Sequence, residues 1–168
     1  GLTFALTLAD AGVNIQGIEK DPEVRENLQN GVPHFHERGL EPMLKKHVGD
    51  TISIHADASE ADSDIYVLCV NTPLDEDENI DTSALQGAAR DVGQNLSVHD
   101  LVIVRSTVAT GTCRDVVVPI LEAASELIAG QEFFVAYAPE RTVAGNALNE
   151  LKSLPQVIGG INRSSADY

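Results

Sequence analysis

Apolar and polar positions along the chain switch between a helical and an extended period, and each switch falls at turn or capping residues. Phe4, Leu6, Leu8 and Ala9 give Leu2–Ala11 a broad apolar surface at helical spacing, and Gly12 suits the position just past a helix end. Val13–Glu19 (VNIQGIE) reads as a short strand. Asp21-Pro22-Glu23 starts the next helix, with Asp as N-cap, Pro at the first helical position and an acid facing the dipole. That helix is predicted to reach Asn30 and stop at Gly31. Gly31–Gly39 is a loop, and Leu40–His47 is a helix with Pro42 in its first turn.

Thr51–His55 (TISIH) is a strand, and Asp64–Val70 (DIYVLCV) is a nearly continuous apolar run of the kind buried on both faces of a parallel sheet. Acidic Asp75–Asp81 is an exposed loop, after which Asp81 can cap a helix from Thr82 to about Leu96. Leu101–Arg105 (LVIVR) is a further buried strand, followed by a helix over Gly111–Ile128. Phe133–Tyr137 (FFVAY) and Gln156–Gly159 complete the predicted strands. Such alternation implies α/β architecture, a parallel sheet with helices on both faces. Ligands of these sheets sit outside the carboxyl ends of the strands. That rule picks out Glu19, Asn71–Leu74, Ser106–Thr112 and Ala138–Gly145.

A dinucleotide-binding fold begins with a strand and a G-x-G-x-x-G loop, whereas this chain opens on Gly1 and enters a helix directly. Gly1 is read as the third glycine of that loop, the one that lets helix and strand pack closely. The expected fold is a Rossmann-like doubly wound parallel sheet lacking its first strand, a fragment in which residues 1–168 form one N-terminally truncated domain.

Composition narrows the function classes. With 168 residues the chain fits one domain. Asp+Glu 26 against Lys+Arg 11 leaves a formal net charge of -15, which argues against a nucleic-acid or anionic-membrane surface. The acidic excess has two readings, solubility through self-repulsion and adaptation to high salt. No apolar run is long enough to span a membrane, and no secretory signal is visible. Cys69 and Cys113 lie in or beside apolar runs and make no disulfide framework, so a reducing, cytoplasmic setting is expected. His34, His36, His47, His55 and His99 lack zinc spacing and a cysteine partner, so no metal is expected. Asp75–Glu78 could bind a cation, but reads as a solvated loop.

Four groups carry candidate chemistry. Glu19 closes a strand eighteen positions after Gly1, near the spacing at which an acid accepts the ribose hydroxyls of NAD and repels the extra phosphate of NADP. Alternatively it is a solvated strand-end acid. In Val70-Asn71-Thr72-Pro73, Thr72 offers a hydroxyl at a strand end, or the segment is only a turn. Arg105–Thr112 (RSTVATGT) packs hydroxyls, Thr107 among them, at a strand end and helix start, where backbone N–H groups favour anions or Ser and Thr simply cap. In Tyr137–Gly145 (YAPERTVAG), Glu140 can hold water or act as a base, and the adjacent Arg141 can pair with a phosphate or sugar substituent. The bland reading of Glu140 and Arg141 is a surface ion pair.

In order, Gly1-Leu2, Glu19, Glu37-Arg38-Gly39-Leu40, NTP, RSTVATGT, APER with Gly145, and Val157-Ile158-Gly159-Gly160 resemble the UDP-glucose/GDP-mannose dehydrogenase family, over essentially the whole chain. The resemblance implies most of that family's N-terminal NAD-binding domain, with the central helix and C-terminal UDP-binding domain absent. APERTVAG is similar to the branch acting on N-acetylated sugars. The UDP-glucose enzymes carry a second Glu where this chain has Ala144.

The resemblance implies a four-electron oxidation of a UDP-sugar at C6, from hydroxymethyl to carboxylate, with two NAD reduced. UDP-N-acetyl-D-mannosamine is the expected substrate. UDP-N-acetylglucosamine, UDP-glucose and a non-catalytic nucleotide-binding module are the alternatives. In the family a Cys thiolate traps the intermediate aldehyde as an adduct that can release hydride. That Cys and a catalytic Lys lie in later parts of the family's chains and match no residue here, so the fragment alone is expected to be inactive. Carried over by motif, Glu140 is the acid/base or water-positioning group, and Thr107 touches the nicotinamide side and the catalytic water. Gly1, Glu19 and Thr72 hold the cofactor, Arg141 and Thr142 contact the substrate, and homo-oligomers form through parts outside this chain.

Overall fold

A computed structural model describes residues 1–75 and 78–168. The chain falls into two compact units, one made of residues 1–61 and 141–155, the other of residues 62–140 and 156–168.

The first unit opens with α1 (Leu2–Asp10), which ends where Gly12 takes a positive φ. Strand β1 (Ile15–Ile18) leads to α2 (Pro22–Gln29), whose N-cap is Asp21, accepting hydrogen bonds from the Glu23 and Val24 amides. Helix α3 (Leu40–His47) and strand β2 (Ile52–His55) follow, and β2 pairs with β1 in parallel register, Ile15 opposite Ile52. The core of this unit joins Leu6, Ala9, Leu28, Leu40, Leu44 and Ile52 to Leu148 of a later helix.

The second unit holds β3 (Ile65–Leu68), α4 (Ser83–Gly93), β4 (Leu101–Val104), α5 (Val118–Ser125) and β5 (Phe134–Tyr137). Strands β3, β4 and β5 are parallel and end in line, with Leu68 opposite Val104 and Val104 opposite Tyr137. Their core gathers Leu68, Val102, Val104 and Val135 with Leu85 and Ala89 of α4 and Leu121 of α5. Burying these side chains against helices supplies the main driving force for the unit. Among the described residues no helix is long and apolar enough to cross a membrane.

The predicted α/β alternation is present, with four local differences. First, β3 is not buried on both faces: Leu68 is buried, but Ile65 is 56% exposed, because β3 pairs only with β4 among the described residues. Second, the helix expected over Gly111–Ile128 begins as a π-turn at Cys113–Val117 before becoming α5. Pro119 has no N–H to bond the carbonyl four residues back, and the wider π-turn precedes it. Third, the final strand is Gly159–Gly160 rather than Gln156–Gly159, and it runs antiparallel to β5. Fourth, two helices were not anticipated. Helix α6 (Ala147–Ser153) belongs to the first unit, and α7 (Arg163–Asp167) follows the antiparallel strand, β6 (Gly159–Gly160), in the second. The acidic loop is bridged by Leu74 and Ile80, while Glu76 and Asp77 of the cation-binding alternative lie outside the described residues.

Candidate functional site

In the second unit the aligned carboxyl ends of β3, β4 and β5 bring three of the singled-out groups close together, Thr72, Thr107 and Glu140. Thr72, after β3, donates from its hydroxyl to the carbonyl of Thr107, after β4, at 2.7 Å. Thr107 itself is exposed. Ser106 does not cap a helix. It is buried and its hydroxyl donates to the Val70 carbonyl at 2.6 Å, tying the loop after β4 to the end of β3.

Glu140 lies three residues past β5 and is tied to Arg105, the residue just past β4. Its amide donates to the Arg105 carbonyl at 3.1 Å, and its Oε2 accepts from Arg105 Nη2 at 3.0 Å. The Arg105 side chain is only 4% exposed, against 35% for Glu140, so a buried cation holds a partly accessible carboxylate. Arg105 Nη1 also donates to the Ala138 carbonyl and to Gln156 Oε1, each at 3.3 Å. Sequence adjacency pointed to Arg141 as the partner of Glu140, and Arg105 was read only as part of the motif RSTVATGT. The missed signal was the strand register: parallel β4 and β5 that end together set residue 105 beside residues 138–140.

Beside this cluster a pocket of about 230 Å³ opens between Thr110–Gly111, Tyr137 and Gly159–Gly160. Cys113 lines it, and burial pushes its thiol pKa up rather than down. Cys69 is more deeply buried and its thiol is raised for the same reason. Neither environment favours a thiolate nucleophile.

In the first unit, Glu19 directly follows β1 and is half-buried. Its Oε1 accepts from the Asp21 amide at 2.9 Å, and its carbonyl accepts from Arg25 Nη1 at 2.8 Å. Gly1 is the N-cap of α1, and the first turn, Leu2 to Ala5, carries neither a capping side chain at its head nor an acid. Such an end suits an external anion.

Arg141 and Thr142 lie in the segment leading to α6. Arg141 is exposed and its Nη1 donates to the Pro155 carbonyl at 2.8 Å, while Thr142 is half-buried. Two carboxylates fasten this segment. Glu150 accepts from the Val143 amide, and Glu37, only 7% exposed, accepts from the Gly145 amide, both at 2.7 Å. Gly145 takes a φ of 90°, a conformation that favours glycine. Glu37 was noted in the sequence only as part of its motif. Its contact spans 108 residues, which no local pattern reveals.

Parallel strands alternating with helices, with polar side chains gathered at the strands' carboxyl ends, are the features of a Rossmann-like dinucleotide-binding fold. The chain belongs to the UDP-glucose/GDP-mannose dehydrogenase family, matching its NAD binding domain over residues 1–168. It is 31% identical to UDP-N-acetyl-D-mannosamine dehydrogenase of Pyrococcus horikoshii, over 99% of this chain and 40% of that protein. It is 30% identical to UDP-glucose 6-dehydrogenase of Haloferax volcanii, again over 99% of this chain and 40% of the other. The solved Pyrococcus horikoshii UDP-D-ManNAc dehydrogenase superposes with a TM-score of 0.93 at 31% identity, covering 99% of this chain and 40% of that one. A ternary complex of GDP-mannose dehydrogenase from Pseudomonas aeruginosa gives 0.93 at 29% identity, with the same coverage.

The chain thus spans about 40% of the length of these relatives. NAD is the cofactor of the domain it matches. The residues present fit that cofactor: an uncapped, acid-free helix start suits a pyrophosphate, and a strand-end carboxylate suits ribose hydroxyls.

Proposed function

We propose that the chain is the cofactor-binding part of an NAD-dependent nucleotide-sugar dehydrogenase, which oxidises the C6 hydroxymethyl group of a UDP-sugar to a carboxylate. NAD, when bound, accepts the hydrides. Glu19 accepts hydrogen bonds from the adenosine ribose, and the start of α1 at Gly1 faces the pyrophosphate. Thr72 and Thr107 flank the nicotinamide end. Glu140 takes up or delivers the proton at the reacting oxygen, directly or through one water. Arg141 and Thr142 contact the substrate. The observation that supports this reading most is Glu140 itself, a part-exposed carboxylate fixed at the carboxyl end of a parallel strand.

UDP-N-acetyl-D-mannosamine is the proposed substrate, supported by the APERTVAG motif and by the named relatives of Pyrococcus and Methanococcus. The full-length protein should produce two NADH per molecule of this sugar and far less from UDP-N-acetylglucosamine or UDP-glucose. NAD binding without NADH from any UDP-sugar would leave a nucleotide-binding module instead. Replacing Glu140 with Gln should lower kcat about 100-fold or more, the usual share of a general acid–base group, with NAD affinity nearly unchanged. A matching loss of NAD affinity would assign Glu140 to the fold.

A further inference from the structure

We propose that Arg105 is the positioning residue for Glu140, an inference that rests on the acid–base role proposed above for that carboxylate. Two attachments join the pair, one through the backbone and one through the side chains. The Glu140 amide donates to the Arg105 carbonyl at 3.1 Å, and Arg105 Nη2 donates to Glu140 Oε2 at 3.0 Å. Arg105 is itself anchored on the other side, where its amide donates to the Leu68 carbonyl at the end of β3. The guanidinium is held by the Ala138 carbonyl and Gln156 Oε1.

An exposed ion pair between two long side chains is weak, because both must be ordered to form it. Here the cation is only 4% exposed and sits at the end of a paired strand, so most of its freedom is already spent on folding. Glu140 is 35% exposed and can still meet a ligand. The guanidinium's planar fork lets one nitrogen hold the scaffold while another holds the carboxylate, a division that a single ammonium cannot reproduce. Arg105 thereby fixes the direction in which Glu140 presents its carboxylate, and a misplacement of about 1 Å in such a group can cost roughly 100-fold in rate.

The test is a double-mutant cycle in the full-length protein, reading kcat, the KM for NAD and for UDP-sugar, and the Tm. R105M should lower kcat on the order of 10- to 100-fold with the NAD KM within about twofold. R105K, which keeps the charge and is the safer variant for folding, should restore part of that loss. In an E140Q background neither change should lower kcat further, since the group that Arg105 aims is already gone. Equal losses with and without Glu140 would overturn the inference, as would wild-type kcat in both Arg105 variants beside an impaired E140Q. Wild-type kcat in E140Q itself would instead overturn the acid–base reading of Glu140, and the inference with it.

Discussion

Glu19 and Glu140 both leave the carboxyl end of a parallel strand, yet their surroundings differ. The Glu19 carboxylate accepts from a backbone amide two residues on, whereas that of Glu140 accepts from a buried guanidinium. Hydrogen bonds to a charged acceptor contribute about 1.5–3 kcal/mol. Glu19→Ala should therefore raise the NAD KM of the full-length protein about tenfold or more and narrow its preference over NADP. Steady-state kcat/KM with both cofactors checks this, and an unaltered preference would remove the ribose role. The position of Glu19 at a strand end was legible in the sequence, because one helix and one strand separate it from Gly1 at a nearly constant length. The partner of Glu140 was not, because Arg105 lies 35 residues away and meets it only through strand pairing.

In the first unit, the starts and stops of α2 and α3 followed local chemistry and were readable as such. Asp21 caps α2, and Leu40–His47 has the predicted bounds, because capping and apolar spacing act within a few residues. The end of the chain was harder. In β6 and α7 the deciding feature is a close approach: a Cβ on Gly160 would lie 2.4 Å from the Ala166 nitrogen and 2.6 Å from the Ser165 carbonyl carbon. Both are backbone atoms and cannot step aside. Gly160→Ala should destabilise the protein by about 2 kcal/mol or more and lower its Tm by several degrees. Gly159→Ala, whose Cβ would meet nothing within 4 Å, is the control and should stay near wild type in the same thermal melts. Nothing in a Gly-Gly pair tells a sequence reader that the strand runs antiparallel. That direction is decided by pairing with β5.

Across the whole molecule the response of stability to acid is set by carboxyls whose pKa changes on folding. Hydrogen bonding from Lys46 and His47 holds the Asp10 carboxyl below the usual carboxylate range, and Lys45 does the same for Glu41. The Ser59 amide lowers Asp57 and the Ser83 amide lowers Asp81. A carboxyl depressed on folding stabilises the native state above its unfolded pKa, and that contribution disappears as pH falls through the folded value. Asp100 acts in the opposite sense, since burial raises it and its ionised form is the costly one. With four groups against one, the Tm should hold near neutrality and drop as pH falls below about 4. Thermal melts from pH 7 to 3 measure this, and a Tm that rises on acidification would contradict it. The amino-acid sequence by itself determined the α/β alternation, the caps and the order of motifs that places the chain in its family. Those features depend on neighbours a few residues apart and on spacings that a strand or helix keeps nearly constant. Only the tertiary structure decided that Arg105 holds Glu140, that Glu37 fastens Gly145, and that the last strand turns back against β5. Each of these is a meeting of distant segments, set by strand register and loop closure, where local preference carries no information.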